Sequence, residues 1–320
     1  VAVNRDKVDI WKADVAESVD FYNNWFMSFA PKAFRETRIE TTKQVKQALE
    51  WTDNLTNIRP DTLIKHPSVL PMLRMATCPP LARDRLVGLS GVSPNLVKSM
   101  ETRKCVPAKM KLPDLVKELS MLGDIIEKMA DPDIFTWKSR GDIGVKEEVH
   151  RASTIVADRL CGAVADPIIR NAQEKRQLAA MKEWFEARGY RELNSGEADD
   201  WLSMPNGTFS FRLNVPVNHG TLDKTINIPV DAVIMRMDAK EGDFPALFEA
   251  KSAGDFTNTN KRRKEEAMKI NQLRHTYGGK ITFDLFLCGY FDSGYLGYEA
   301  AEGIDWVWEH RIDDLEGFGF

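Results

Sequence analysis

Residues 225–251, TINIPVDAVIMRMDAKEGDFPALFEAK, constrain this chain most, because two apolar strands there carry charges that a buried sheet accommodates only when something uses them. The first strand delivers Asp231 two positions after Pro229, a polar turn crosses 238–243, and the second strand ends in Glu249-Ala250-Lys251. Side chains alternate faces along a strand, so Glu249 and Lys251 point one way and Ala246, Phe248 and Ala250 the other. Ile226, Ile228, Val230, Ala232 and Ile234 form one row of the first strand, which leaves Asp231 on the opposite face. Paired as a hairpin, the strands bring Asp231 and Glu249 together. Two acids and a lysine packed into otherwise apolar strands are expensive to bury unless a cation and a substrate use them.

A chain of 320 residues exceeds the usual size of one domain, so one large or two modest domains are expected, and 43% apolar residues suffice for a core. The formal net charge of -4 conceals segregation. Residues 83–111 carry seven Lys or Arg against two acids, residues 261–280 again seven against two, and residues 292–320 eight acids against one arginine. Two basic patches on an acidic protein fit nucleic-acid binding. Cys78, Cys105, Cys161 and Cys288 form no C-x-x-C, which argues for buried free thiols in a reducing cytoplasm rather than a zinc site or disulfides. No apolar run approaches the roughly 18 residues of a membrane span, and no secretory pattern opens the chain. The expectation is a soluble, cytoplasmic protein with no membrane partner. The histidines lack metal-ligand spacing and no G-x-x-x-x-G-K-[ST] loop is present, so neither a histidine-metal centre nor a nucleotide cofactor is expected.

The N-terminal half reads as helical. Val8, Trp11, Val15, Val19, Tyr22 and Phe26 recur at three- and four-residue spacings, predicting a helix over 8–29 that Pro31 ends, with a second helix over 41–55. In residues 81–102 a short helix leads into Gly-Val-Ser-Pro, where Ser93 can cap and Pro94 can take the first helical position of a second helix. The pair has the form of a helix-turn-helix, which would aim Asn95, Lys98 and Arg103, with Lys104 next to them, at DNA. It also has the form of a helix-hairpin-helix that holds a phosphate, or of a purely structural hairpin. Helices are further predicted over 113–130 and 145–164, and a boundary near Asp166-Pro167 divides a helical domain, 1–164, from a second domain, 165–320. In the second, a helix over 168–188 precedes a strand at 209–215, the two strands of the opening stretch, a basic helix over 258–277, and a buried strand over 281–289. A helical crossover makes that last strand parallel to the one before it. The order predicts an α/β fold with a mixed central sheet flanked by helices. Trp306 and Trp308 read as core or interface residues.

Pro229-Val230-Asp231 followed by Glu249-Ala250-Lys251 resembles the PD-(D/E)xK nuclease signature. The run FEAKSAGDFTNTNKRRKEEAMKINQLRHTYG, with NAQEKRQLAAMKEWFEARGY upstream and GVSPNLVKSME in the helical half, is similar to type II restriction endonucleases of the XamI-like family, most densely over 167–289. Val230 between proline and aspartate is a departure common in these nucleases. The resemblance implies a restriction-endonuclease-like core and Mg²⁺-dependent hydrolysis of double-stranded DNA at a short, palindromic sequence. It also implies 5′-phosphate ends, a homodimer and a prokaryotic cytoplasm. Asp231 and Glu249 are hard oxygen ligands suited to Mg²⁺, with Mn²⁺ as a substitute, and the resemblance adds the backbone carbonyl of Ala250. Lys251 would orient the attacking water and stabilise developing charge. Glu174 lies on the helix before the sheet, from which related nucleases often contribute an acid, although beside Lys175 and Arg176 it also reads as a solvated charge. Asp199, Asp200 and Asp223 are further alternatives on predicted loops. Lys261, Arg262, Arg263 and Lys264, with Asn258 and Asn260 before them, fit phosphate contacts, while a basic run followed by Glu265-Glu266 is also an ordinary solvated helix face. The charged trio has a rival reading as a structural ion pair. The function has two rivals: a repair or structure-specific nuclease on the same core, and a DNA-binding regulator that uses the hairpin without catalysis.

Overall fold

The computed structural model describes residues 2–194, 196–198, 200–218, 225–257 and 259–320, without the side chains of residues 260–263. In chain order the helices are α1 (Trp11–Trp51), α2 (Pro60–Lys65), α3 (Leu70–Met75), α4 (Arg83–Ser90), α5 (Pro94–Lys98), α6 (Leu112–Met129), α7 (Thr136–Arg140) and α8 (Lys146–Ala187). The sheet follows as β1 (Arg191–Glu192), β2 (Thr208–Asn218), β3 (Thr225–Met235) and β4 (Ala246–Ala253), then α9 (Thr259–Tyr277), β5 (Phe283–Gly289), α10 (Ser293–Ala301) and β6 (Trp306–Trp308). Contacts divide the chain into two compact units, Val1–Phe29 with Arg170–Phe320, and Ala30–Ile169. Residues 1–29, which the helical pattern alone assigned to the N-terminal half, therefore group with the sheet.

Two prolines do not end their helices. α1 continues through Pro31 and α8 through Pro167. A proline forfeits its own N–H and strains the preceding turn, but the turns around these two are packed: Ala30, Ala33 and Ala165 are buried.

The unit Ala30–Ile169 is helical around a core that includes Leu49, Leu73, Leu96, Leu119, Trp137 and Val156. In α6, Leu115, Leu119, Leu122 and Ile126 are buried at four-, three- and four-residue spacings, the stripe of a helix covered on one side. The hairpin is present as α4 and α5. Gly91 between them takes φ 68, a left-handed conformation that lets α4 stop in one residue. Pro94 opens α5 as expected, but Ser93 gives no side-chain cap; its backbone N–H donates to Glu118 at 2.9 Å instead. A single π turn, Ser99–Arg103, follows α5 and turns Glu101 inward to pair with Arg74 and Arg83. Asn95, Lys98, Arg103 and Lys104 remain exposed.

In the other unit the six strands lie in sequence order across one mixed sheet. β3 is antiparallel to both β2 and β4, and β5 is parallel to β4 and β6, as the helical crossovers require. All seven residues of β5 are buried, so it is the spine of the sheet. The N-terminus closes the far edge. Asp305 accepts the backbone N–H groups of Val3, Asn4 and Arg5 at 2.6, 2.9 and 3.0 Å, and Trp11 packs edge-on against Trp306 at 5.4 Å.

The single apolar row expected along β3 splits in two. Ile228 and Val230 join the core formed with Leu213, Val215 and α9, whereas Ala232 and Ile234 join the opposite core with Phe209 and the end of α8. The break lies opposite Arg212, which takes φ 57 inside β2; the ladder pairs Phe211↔Ala232 and Leu213↔Val230 pass on either side of Arg212 and Asp231. A left-handed residue inside a strand breaks the two-residue alternation, as a bulge does.

Candidate active site

The break in alternation sits where the strands also part. β3 and β4 are bonded only at Ala232↔Phe248, Val233↔Leu247 and Ile234↔Ala246. Asp231 and Glu249 are the next residues along each strand, just beyond the last pair. With no ladder partner across the gap, the N–H of Ala250 donates to Asp231 Oδ2 at 2.9 Å, so a carboxylate replaces the missing strand carbonyl. The parted strands leave a cleft of about 250 Å³ lined by Asp231, Glu249, Lys251, Glu174 and Gln177 among others. The hairpin has thus gathered the charged trio, with Glu174 of α8 facing it.

Burial sets the electrostatics. Asp231 is pushed up to about 6, first by loss of water and then by the neighbouring Glu249 charge, against the opposing pull of the Ala250 N–H and Lys251. For Lys251 burial works against the charge, but the carboxylates of Glu249 and Glu266 outweigh it and hold the ammonium above its ordinary value. Lys251 Nζ lies 3.0 Å from Glu249 Oε1 and 3.2 Å from Glu266 Oε1. Glu249 Oε1 also meets Lys269 Nζ at 2.7 Å, while Glu249 Oε2 is buried without a protein partner. Gln177 of α8 ties the strands from the other side, donating to the carbonyls of Lys251 at 3.2 Å and Phe286 at 3.0 Å. Glu174 is half-buried and ion-paired to Arg212 at 2.7 Å.

Gln177, Arg212, Glu266 and Lys269 did not emerge from the motif. Glu266 carried a readable signal: with Ile270, Leu273 and Tyr277 it falls at four-, seven- and eleven-residue offsets, on the inward stripe of α9 and not on the solvated face assigned to it. It is 1% exposed. Arg212 carried none, since nothing in Phe-Arg-Leu announces a left-handed residue. Lys264 is exposed on the first part of α9. Asn258, Asp199 and Asp223, and the side chains of Asn260, Lys261, Arg262 and Arg263, lie outside the described residues. Asp200 accepts from Ser203 Oγ at 2.5 Å in a short turn and does not line the cleft. Of the cysteines, Cys161 and Cys288 are buried, but Cys78 and Cys105 are exposed, contrary to the expectation of four buried thiols. Among the described residues no group of three or more His, Cys, Asp or Glu is arranged to hold a metal, and no helix is long and apolar enough to cross a membrane.

A mixed sheet with helices on both faces, accompanied by a helical unit, is consistent with a restriction-endonuclease-like core. The sequence model of the XamI restriction endonuclease family matches residues 53–308. The type II restriction enzyme SalI of Streptomyces albus G is 53% identical over 317 residues, which cover 99% of this chain and 99% of that enzyme. Protein VC1899 from Vibrio cholerae, a solved structure, matches over 90% of this chain and 55% of its own at 11% identity, with a TM-score of 0.27 too low to carry an argument. The chain belongs to the XamI restriction endonuclease family. It is an enzyme, an endonuclease of the restriction class, which sets aside both the non-catalytic regulator and the repair nuclease.

Proposed function

We propose that the chain cuts double-stranded DNA at a short, two-fold-symmetric sequence, using Mg²⁺ and leaving 5′-phosphate ends, as a homodimer. The observation that carries this reading is the meeting of Asp231, Glu249 and Lys251 in one cleft where β3 and β4 part. The cleft also suits a divalent cation, because Glu249 Oε2 is buried with no protein partner beside a second, desolvated carboxylate. Mg²⁺ needs only one or two carboxylates when waters and a phosphate complete its shell. Asp231, Glu249 and the Ala250 carbonyl would hold it, and Mn²⁺ would fit the same oxygens. When bound, the cation supplies charge neutralisation at the scissile phosphate and acidifies water.

The chain's own groups do the rest. Ala250 N–H fixes the Asp231 carboxylate. Lys251 presents a positive charge, pinned between Glu249 and Glu266, to the phosphate and the attacking water. Glu174 would join as a further acid once Arg212 releases it; a solvent-accessible pair of this kind is worth only about 0–1 kcal/mol. Asn95, Lys98, Arg103 and Lys104 on the hairpin, and Asn258, Asn260, Lys261, Arg262, Arg263 and Lys264 around the start of α9, are the DNA contacts in this reading. The helical unit, Ala30–Ile169, supplies contacts to DNA and to the second subunit of the dimer, and the unit that holds the sheet supplies the chemistry.

Digestion of a sequenced plasmid with Mg²⁺, followed by sequencing of the ends, tests the reading. Discrete fragments with 5′-phosphates support it, and EDTA abolishes them. Asp231→Ala and Lys251→Ala stop cutting and retain most of the DNA affinity. Undiminished cutting by both variants would overturn the site.

A further inference from the structure

We propose that Glu266 is a positioning residue for the cleavage reaction, keeping the Lys251 ammonium at Glu249 Oε1 so that the other oxygen, Oε2, stays free for the cleft. The inference rests on the role of Lys251 given above. Four charged groups alternate in sign behind the cleft: Glu266, Lys251, Glu249 and Lys269. The two outer members come from α9, one turn apart. Glu266 Oε1 lies 3.2 Å from Lys251 Nζ, and Lys269 Nζ lies 2.7 Å from Glu249 Oε1 and 3.2 Å from the carbonyl of Pro229. The helix thus sets an acid against the lysine of β4 and a lysine against its acid.

Stability does not account for Glu266. It is 1% exposed on the stripe that also buries Ile270 and Leu273, where an apolar side chain would cost less. Loss of water raises its carboxyl above the ordinary range despite Lys251. What the acid accomplishes is geometric. Without it, Lys251 would have Glu249 as its sole carboxylate partner in these ion pairs, and Glu249 Oε1 is already shared with Lys269. With it, the ammonium has a carboxylate oxygen within 3.2 Å on two sides, ion pairs that form no hydrogen bond to Glu266, and Glu249 Oε2 is left without a protein partner. Groups that orient a reacting shell in this way typically cost about 10–100-fold when removed.

The test uses the full chain with Mg²⁺, comparing Glu266→Gln, Glu266→Asp and Lys251→Ala. Gln keeps the volume and loses the charge; Asp keeps the charge and draws it back by one methylene. Single-turnover cleavage at saturating DNA, DNA affinity with Ca²⁺ in place of Mg²⁺, and thermal unfolding are measured for each. The expected result is that Glu266→Gln cuts about 10–100-fold more slowly while its affinity and melting stay near those of the parent, with Glu266→Asp in between. If Glu266→Gln does not fold, a reduced rate with retained affinity in Glu266→Asp supports the inference. Parental cutting by the folded variants, or a loss of rate matched by a loss of affinity, overturns it while an inactive Lys251→Ala leaves the site intact. Parental cutting by Lys251→Ala would overturn the site, and this inference with it.

Discussion

Glu299 on α10 offers a test of the electrostatics that needs neither DNA nor metal. Its side chain is fully buried, and its carboxyl is pushed up from 4.5 to about 8, first by loss of water and then by the nearby Glu266. Between those pH values the folded protein keeps a proton that the unfolded chain has released. Stability therefore falls as pH rises, by about 1.4 kcal/mol per pH unit for one proton, and the contribution is complete below the unfolded pKa and gone above the folded one. From pH 5 to 8 this amounts to roughly 4 kcal/mol, an upper figure because side-chain relaxation and water entry reduce it. Glu299→Gln removes the titration and keeps the shape. Urea denaturation of both proteins in EDTA from pH 5 to 9 gives the difference between their stabilities. That difference should grow in favour of the Gln variant across the interval and level off near pH 8. Groups common to both proteins cancel to first order, apart from the coupling of Glu266 to Glu299. A constant difference across the interval would show that Glu299 is ionised in the folded state and would refute the reasoning.

Three further outcomes follow from the geometry. Gly289→Ala places a Cβ 2.1 Å from the carbonyl oxygen of Ala253 at φ 97, so chemical denaturation should register a loss of more than about 2 kcal/mol. Arg212→Gly should be more stable than Arg212→Ala by about 1 kcal/mol, since both lose the Glu174 pair but only Ala retains the left-handed strain at φ 57. Arg176→Ala strands the buried Glu309 that it grips at 2.7 and 2.8 Å, and should cost about 3 kcal/mol, most of it recovered by Arg176→Met with Glu309→Leu.

The parts of the molecule legible in its residues were those set by local rules. Strand alternation placed Glu249 and Lys251 on one face, and the turn between the strands brought Asp231 beside them. The helical crossover fixed β5 parallel to β4. What stayed hidden depended on tertiary packing. Pro31 and Pro167 carry the usual helix-ending signal, but buried alanines on neighbouring turns override it. Ser93 has the right chemistry for a cap and gives its backbone to Glu118 instead. The flip of the apolar row at Asp231 lies opposite Arg212 of β2, whose conformation no neighbouring side chain predicts. Glu266 was legible by periodicity but masked by the charges around it, because a KRRKEE run reads as solvated until one member is found to be the inward one.

The clasp at the far edge of the sheet governs when the molecule can be completed. The amide of Val3 and the carboxylate of Asp305 are 302 residues apart along the chain. Closing so long a loop in an unfolded chain costs on the order of 5 kcal/mol in entropy before any contact repays it. Strands laid down in sequence order let the rest of the sheet grow by local additions, so the N-terminal segment is expected to dock late, after β6 exists to receive it. Synthesis would then leave Trp11 and the start of α1 without their seat until β6 emerges.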